Sequence, residues 1–170
     1  SYSAAISACK KGGQWQLALR LFQAMPEARI SPDVISCNAA ISASEKGGPW
    51  QQALSLFHAM PEARISPDVI SYNAAISACE KGGQWEQALS LFHAMFEARI
   101  SPDVISYSAT ISACEKGSQW QQALSLFEAM PEARIRGNAI SYSATISACE
   151  KGGSWQQALS LFQAMLEARI

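Results

Sequence analysis

Residues 69–103 read VISYNAAISACEKGGQWEQALSLFHAMFEARISPD, and the spacing of apolar side chains in this stretch decides the fold. Tyr72, Ala75, Ile76 and Cys79 fall at i, i+3, i+4 and i+7, the pattern of one helical face. After a break at Gly82 and Gly83 the rhythm resumes with Trp85, Ala88, Leu89, Phe92 and Met95. The stretch therefore predicts a helical hairpin. The double glycine ends the first helix and supplies the turn, while Ser101, Pro102 and Asp103 stop the second helix and launch the next unit. A helix of about a dozen residues spans only ~18 Å. Helices this short are marginal alone and must be held by stacking.

The same unit recurs on both sides. Trp15, Trp50, Trp85, Trp120 and Trp155 are each 35 residues apart, as are Met25, Met60, Met95, Met130 and Met165. Five units lacking two residues at the start and three at the end account for all 170, with no insertion. A fixed period of this length marks units that bury their apolar faces only against neighbours. The expected fold is all-α: a right-handed α-solenoid superhelix of five helix-turn-helix repeats, about ten antiparallel helices, with repeats at 1–33, 34–68, 69–103, 104–138 and 139–170. Because Ser1 opens partway into a repeat, the chain reads as a piece of a longer array. Pro26, Pro61 and Pro131 follow the methionine column and are expected to end or kink the second helix there, whereas Phe96 and Leu166 let it continue.

Composition narrows the function. A hydrophobic content of 49% with 16% charge is too apolar for a disordered chain, and no apolar run approaches membrane-spanning length. No targeting segment opens the sequence. A net charge of −1 argues against a strong nonspecific polyanion binder, so any nucleic-acid role must come from local arrangement. Reactive groups occur as columns rather than as sites. Cys9, Cys79, Cys114 and Cys149 recur on the repeat period with Ser44 in the remaining place, which predicts core thiols and no zinc or disulfide framework. Their reduced state suits a reducing compartment. His58 and His93 share a varying, surface-like column with Gln23, Glu128 and Gln163, and no catalytic dyad follows. KGGQW lacks the Lys-Ser/Thr of a phosphate loop. No enzyme, metal or cofactor is expected.

Two columns vary in a way that suits ligand reading. At 100° per residue Ile70, Asn73, Ser77 and Lys81 lie opposite the packing face of the first helix and are expected to be presented to solvent. Across the units Ser3, Asn38, Asn73, Ser108 and Ser143 form one varying column, and Asp33, Asp68, Asp103 and Asn138 form another at the junctions. Asn both donates and accepts, ionised Asp only accepts, and Ser does either, which are the groups that reading a base edge requires. Helix capping alone also explains Asp and Asn at helix starts, and both roles can coexist. Lys11, Lys46, Lys81, Lys116 and Lys151 end the first helices, where the dipole favours a cation without any ligand, and Glu45, Glu80, Glu115 and Glu150 precede four of them and weaken the band.

These units resemble the pentatricopeptide repeat, the RNA-binding helical hairpin of organellar RNA-processing factors. The resemblance covers the whole chain and is carried by VISYNAAISA, by EQALSLF and QQALSLF, by the methionine that follows, and by the closing ISPD. It implies sequence-selective binding of single-stranded RNA, one base per repeat, as part of an RNA-processing, editing or stabilising factor of the mitochondrion or chloroplast. It further implies that Ile35, Ile70, Ile105 and Ile140 sandwich bases, that the lysine column approaches phosphates, and that the two varying columns read bases in pairs. Ser3 with Asp33 then suggests G, Asn38 with Asp68 and Asn73 with Asp103 suggest U, Ser108 with Asn138 suggests A, and Ser143 a purine, giving 5′-GUUA-purine. Cys37 in place of tyrosine, the interrupting prolines, and a more flexible Arg136-Gly137-Asn138 junction with Ala139 in place of Val depart from the pattern. Two other readings stand beside it. One is a peptide- or protein-binding scaffold like the tetratricopeptide repeats, using the same concave groove. The other is a near-consensus array with no dedicated ligand. Apolar faces on the end repeats also predict self-association of the chain.

Overall fold

The computed structural model describes residues 1–170, which form ten helices and no strand. In order they are α1 (Tyr2–Lys11), α2 (Trp15–Glu27), α3 (Val34–Gly47), α4 (Trp50–Glu62), α5 (Val69–Lys81), α6 (Trp85–Glu97), α7 (Val104–Lys116), α8 (Trp120–Ala129), α9 (Ala139–Lys151) and α10 (Trp155–Glu167). They form two compact units, Ser1–Gly82 and Gly83–Ile170. In the first unit α1 packs on α2 and α3, α2 packs on α3, and α4 lies against α3 and α5, which also touch each other. In the second, α6 packs on α7, α7 on α8 and α9, α8 on α9, and α9 on α10.

Each first helix is launched by a cap. Asp33, Asp68, Asp103 and Asn138 all sit in extended conformation, accept through the side chain from the backbone N–H three residues on, and donate their own backbone N–H to the serine hydroxyl there. This is a capping box with serine in the position more often held by Glu or Gln. The second helices end alike: Arg29, Arg64, Arg99, Arg134 and Arg169 hold φ between 54° and 60°. In the first unit the N–H of Ile30 reaches Met25 O and that of Ile65 reaches Met60 O, at 2.9 and 2.8 Å. That is a Schellman closure with arginine where glycine is usual.

The core consists of columns that the period brings together. Ile6, Ile41, Ile76 and Ile111 are fully buried, as are Met60, Met95 and Met130 to within a percent or so. Phe57 meets Tyr72 edge-on at 4.8 Å, and Phe127 meets Tyr142 at 4.7 Å. This is the favourable T-shaped geometry for aromatic rings. Each such pair joins a second helix to the first helix of the following repeat.

The glycines do more than end helices. Gly12, Gly82, Gly117 and Gly152 have φ near −80°, accessible to any residue. Three of the four lie directly under a tryptophan from the preceding repeat. A Cβ at Gly82 would stand 2.5 Å from Trp50 Cγ, and one at Gly117 would stand 2.5 Å from Trp85 Cγ. Only the second glycine of the pair needs the left-handed region: Gly13, Gly83 and Gly153 have φ of 70°, 68° and 74°. Ser118 takes that conformation in the fourth repeat, at φ 57°.

Two expectations are corrected. Pro26 and Pro61 do not end their helices: α2 and α4 run through them to Glu27 and Glu62, the same length as α6 and α10. In the last turn a missing N–H forfeits one hydrogen bond, and the fixed φ of proline is already helical. Only α8 ends early, at Ala129, before Pro131. The Arg136-Gly137-Asn138 junction, expected to be looser, closes with the same capping box as the others. Arg136 Nη2 donates to Ala168 O at 2.8 Å, and a Cβ on Gly137 would meet Tyr142 at 3.0 Å.

Candidate nucleic-acid interface

The varying columns come together at the starts of the first helices. In the first unit Asn38 Nδ2 donates to Asp68 Oδ1 at 3.0 Å, and Ser71 Oγ donates to Asn38 Oδ1 at 2.6 Å. Asp68 Oδ1 also accepts from the backbone N–H of Ser71 at 2.9 Å. The aspartate thus caps α5 and holds the asparagine of the preceding repeat at once. Burial pushes the Asp68 carboxyl up, but the hydrogen bonds from Ser71 and Asn38 outweigh it and hold the group below the usual carboxylate value. In the second unit Ser108 Oγ donates to Asn138 Oδ1 at 3.2 Å, and that oxygen also caps α9 by accepting from Ser141 N at 2.9 Å.

Capping fixes what each pair leaves over. The bonds from Asn38 and Ser71 to the Asp68 carboxylate fall on Oδ1 and leave Oδ2 to accept, and Asn38 Nδ2 keeps its second proton. This pair presents one donor and one acceptor. At Asn138 the cap demands an oxygen toward Ser141 N, which turns the amide NH₂ outward beside the Ser108 hydroxyl.

The expected solvent-facing stripe is only partly exposed. Ile35, Ile70, Ile105 and Ile140 stand out, 61%, 55%, 54% and 61% exposed. Asn38, Asn73 and Ser108 do not, at 8%, 8% and 4%. For Asn38 the cover comes from the capping end of α5 and its Ser71. Ser3 is half-buried and makes no bond to Asp33, which caps α3 through Ser36. Hydrogen bonds from the backbone and hydroxyl of Ser36 lower the Asp33 carboxyl too. Asn73 and Asp103 lie in different units, Asp103 capping α7. Ser143 is exposed and lines an open groove of about 500 Å³ with Ile140, Ser147 and Glu115.

The lysines end their helices as expected, but Lys81 and Lys151 are engaged by glutamates. Lys81 Nζ lies 2.5 Å from Glu45 Oε1, and Lys151 Nζ lies 2.5 Å from Glu115 Oε1. Ser147 Oγ also donates to Glu115 at 3.0 Å. Sequence reading paired each glutamate with the lysine beside it and so missed that the partner is 36 residues on. The offset of one repeat plus one residue between the two columns carried that signal. The capping serines Ser36, Ser71, Ser106 and Ser141, all fully buried, were likewise missed, although each stands three residues after an Asp or Asn.

Four of the five cysteines are buried thiols. Burial pushes the thiols of Cys37, Cys79 and Cys114 up to about 11, and that of Cys149 up as well. Cys9 is only half-buried, unlike its column mates, and all five are free. No group of three or more His, Cys, Asp or Glu is placed to hold a metal ion, and no helix is long and apolar enough to cross a membrane.

Comparison with known proteins places this geometry. Residues 32–81 and 67–116 match the PPR repeat family, residues 1–46 the Pentatricopeptide repeat domain, and residues 105–135 and 140–170 the PPR repeat. No curated protein matches the sequence. Among solved structures, the chain resembles the PPR domain of Arabidopsis thaliana protein-only RNase P 1, determined in complex with tRNA, at TM-score 0.86 and 15% identity. That alignment covers 100% of this chain and 92% of the other. It resembles the pentatricopeptide repeat protein PPR10 in complex with an 18-nt psaJ RNA element at TM-score 0.84 and 20% identity, and PPR10 from maize at 0.72 and 22%. These alignments cover 98% and 100% of this chain but only 25% and 24% of the PPR10 chains. With its helical hairpins, its period and its matches along nearly the whole length, the chain belongs to the pentatricopeptide repeat family.

Proposed function

We propose that the chain binds single-stranded RNA through its repeats, one base per repeat, with a preference for 5′-GUUA-purine, and that it acts by holding RNA rather than by bond chemistry. The observation that carries this reading is the Asn38–Asp68 pair, joined at 3.0 Å beside the exposed Ile35 and Ile70. Its spare donor and spare acceptor complement uracil, whose ring N–H donates and whose carbonyl accepts. Cytosine would set the lone pair of its ring nitrogen against the carboxylate. The outward amide of Asn138 beside Ser108 donates to the ring nitrogen of adenine, while the hydroxyl accepts from its amino group. Structural relatives solved with tRNA and with an 18-nt RNA support the same class of ligand. A role in RNA processing, editing or stabilisation in an organelle is the corresponding biological setting.

Stacking worth roughly 1–3 kcal/mol per base gives five repeats modest affinity. The test is binding of labelled GUUAG against a scrambled pentamer at two salt concentrations. Retention of GUUAG over its scramble is expected, and equal retention overturns the base-reading proposal. The neutralised Lys81 and Lys151 favour the rival reading, an extended peptide in the same groove, which predicts weak salt dependence and no base preference.

A further inference from the structure

The lysine column is uniform in sequence but not in its ion pairing. Lys81 and Lys151 each contact a glutamate of the preceding repeat, and Glu45 and Glu115 are mostly covered, with side chains 13% and 16% exposed. Burial works against the charge on Glu115, but its bonds from Lys151 and Ser147 outweigh that and hold its carboxyl below the ordinary range. A phosphate approaching Lys151 meets a fixed carboxylate as well as the ammonium, so its attraction is largely cancelled. The first unit breaks this rule once. The position that holds Glu45, Glu80, Glu115 and Glu150 in later repeats holds Lys10 in the first. Lys46 therefore has a lysine where Lys81 has a glutamate, and it forms no ion pair. Lys10 and Lys11 end α1, Lys46 ends α3, and these two helices pack together. Three cations thus stand at the ends of two packed helices, and Glu45, the carboxylate beside Lys46 in the chain, is taken by Lys81.

We infer that Lys10, Lys11 and Lys46 form the phosphate anchor of the array, whereas Lys81 and Lys151 are withheld from the RNA backbone by Glu45 and Glu115. This rests on the RNA-binding reading for the identity of the ligand, but the anchor is a property of the charges alone. Contact with single-stranded RNA at one phosphate changes the slope of log affinity against log salt by about 0.7. Over a fourfold rise in salt, one contact corresponds to a two- to threefold change in affinity.

The test measures RNA affinity and the salt needed to elute the protein from heparin, a polyanion without bases. Lys46→Ala should lower the slope by about 0.7 and elute earlier, while the double variant Lys151→Ala with Glu115→Gln, which removes the ion pair whole, should change neither. Glu115→Gln should free Lys151 and raise the slope by about 0.7. Lys10→Glu, which installs the pair found in later repeats, should remove two contacts at once. Equal effects on heparin elution of Lys46→Ala and of the double variant Lys151→Ala with Glu115→Gln, or no effect of Glu115→Gln alone, overturn the inference. Failure to distinguish GUUAG from its scramble, with the heparin differences intact, sinks the base-reading proposal and leaves the anchor standing.

Discussion

Gly82→Ala and Gly12→Ala are the same change at the same place in two repeats, and they should differ sharply. Both glycines cap a first helix with nearly identical backbone, φ −80° and ψ 0° against φ −82° and ψ 4°. Neither needs the left-handed region, so alanine meets no backbone strain at either. What differs is the neighbour. At Gly12 the nearest atom to an added Cβ is Ala8 O at 3.6 Å, ordinary contact. At Gly82 the Cβ falls 2.5 Å from Trp50 Cγ and 2.9 Å from Trp50 Nε1, with Cδ1 nearer still. Carbon atoms prefer about 3.5–4.0 Å. The shortfall reaches an ångström and lies at the root of the indole, so relieving it means either swinging the whole Trp50 ring out of its packing or separating α4 from α5. Forcing a methyl into a packed contact costs about 1–3 kcal/mol, whereas glycine to alanine at a compatible site gains about 0.4–1 kcal/mol through the unfolded chain. That gain is common to both variants, so they should differ by the packing cost, about 1–3 kcal/mol. Urea unfolding followed by circular dichroism reads this directly, and hydrogen exchange in α4 and α5 shows whether the loss is local, as nearest-neighbour coupling in a repeat array expects. The double variant Trp50→Ala with Gly82→Ala should lose little beyond Trp50→Ala alone. Equal stability of Gly12→Ala and Gly82→Ala would refute the interlock.

Other perturbations follow from the same geometry. Arg64 sits at φ 60°, where glycine is free of the Cβ penalty, so Arg64→Gly should stabilise by up to about 1 kcal/mol in urea melts. Gly83→Ala, at φ 68° with open space around its Cβ, should cost about 1 kcal/mol from backbone strain alone. Because the Asp68 carboxyl is held below its ordinary 3.8, its share of stability is present above that pH and is lost as the pH falls through the lower native value. Asp68→Asn should flatten the stability profile in that acidic window and leave it elsewhere unchanged in shape.

Much of the fold was legible because the period and the two helical faces are within-unit quantities. Tyr72, Ile76, Cys79, Phe92 and Met95 announce them in a single 35-residue stretch, and the junction aspartates announce the caps. What sequence reading misplaced depends on the register between units. The glycine column looked like turn chemistry because nothing within a repeat reveals that a tryptophan 32 residues earlier, such as Trp50 for Gly82, lies against it. The presented stripe looked uniform because the helical wheel knows nothing of Ser71 reaching back to cover Asn38. The weakening of the lysine band was assigned to the wrong neighbours for the same reason, since Glu45 finds Lys81 rather than Lys46. Pro61 was read as ending or kinking its helix because proline was weighed as a breaker without asking how many bonds remain to be lost in a last turn.

The account turns on whether a hydrogen-bonded pair in one repeat selects one base. The most direct measurement compares the wild-type chain with the double variant Asn38→Ser, Asp68→Asn against GUUAG and GAUAG. Copying the fourth repeat's pair into the second should move the preference at the second base from U to A, with the wild type holding GUUAG tighter and the variant holding GAUAG tighter. A folded variant that keeps the wild-type preference, or a wild type indifferent to the second base, would contradict it.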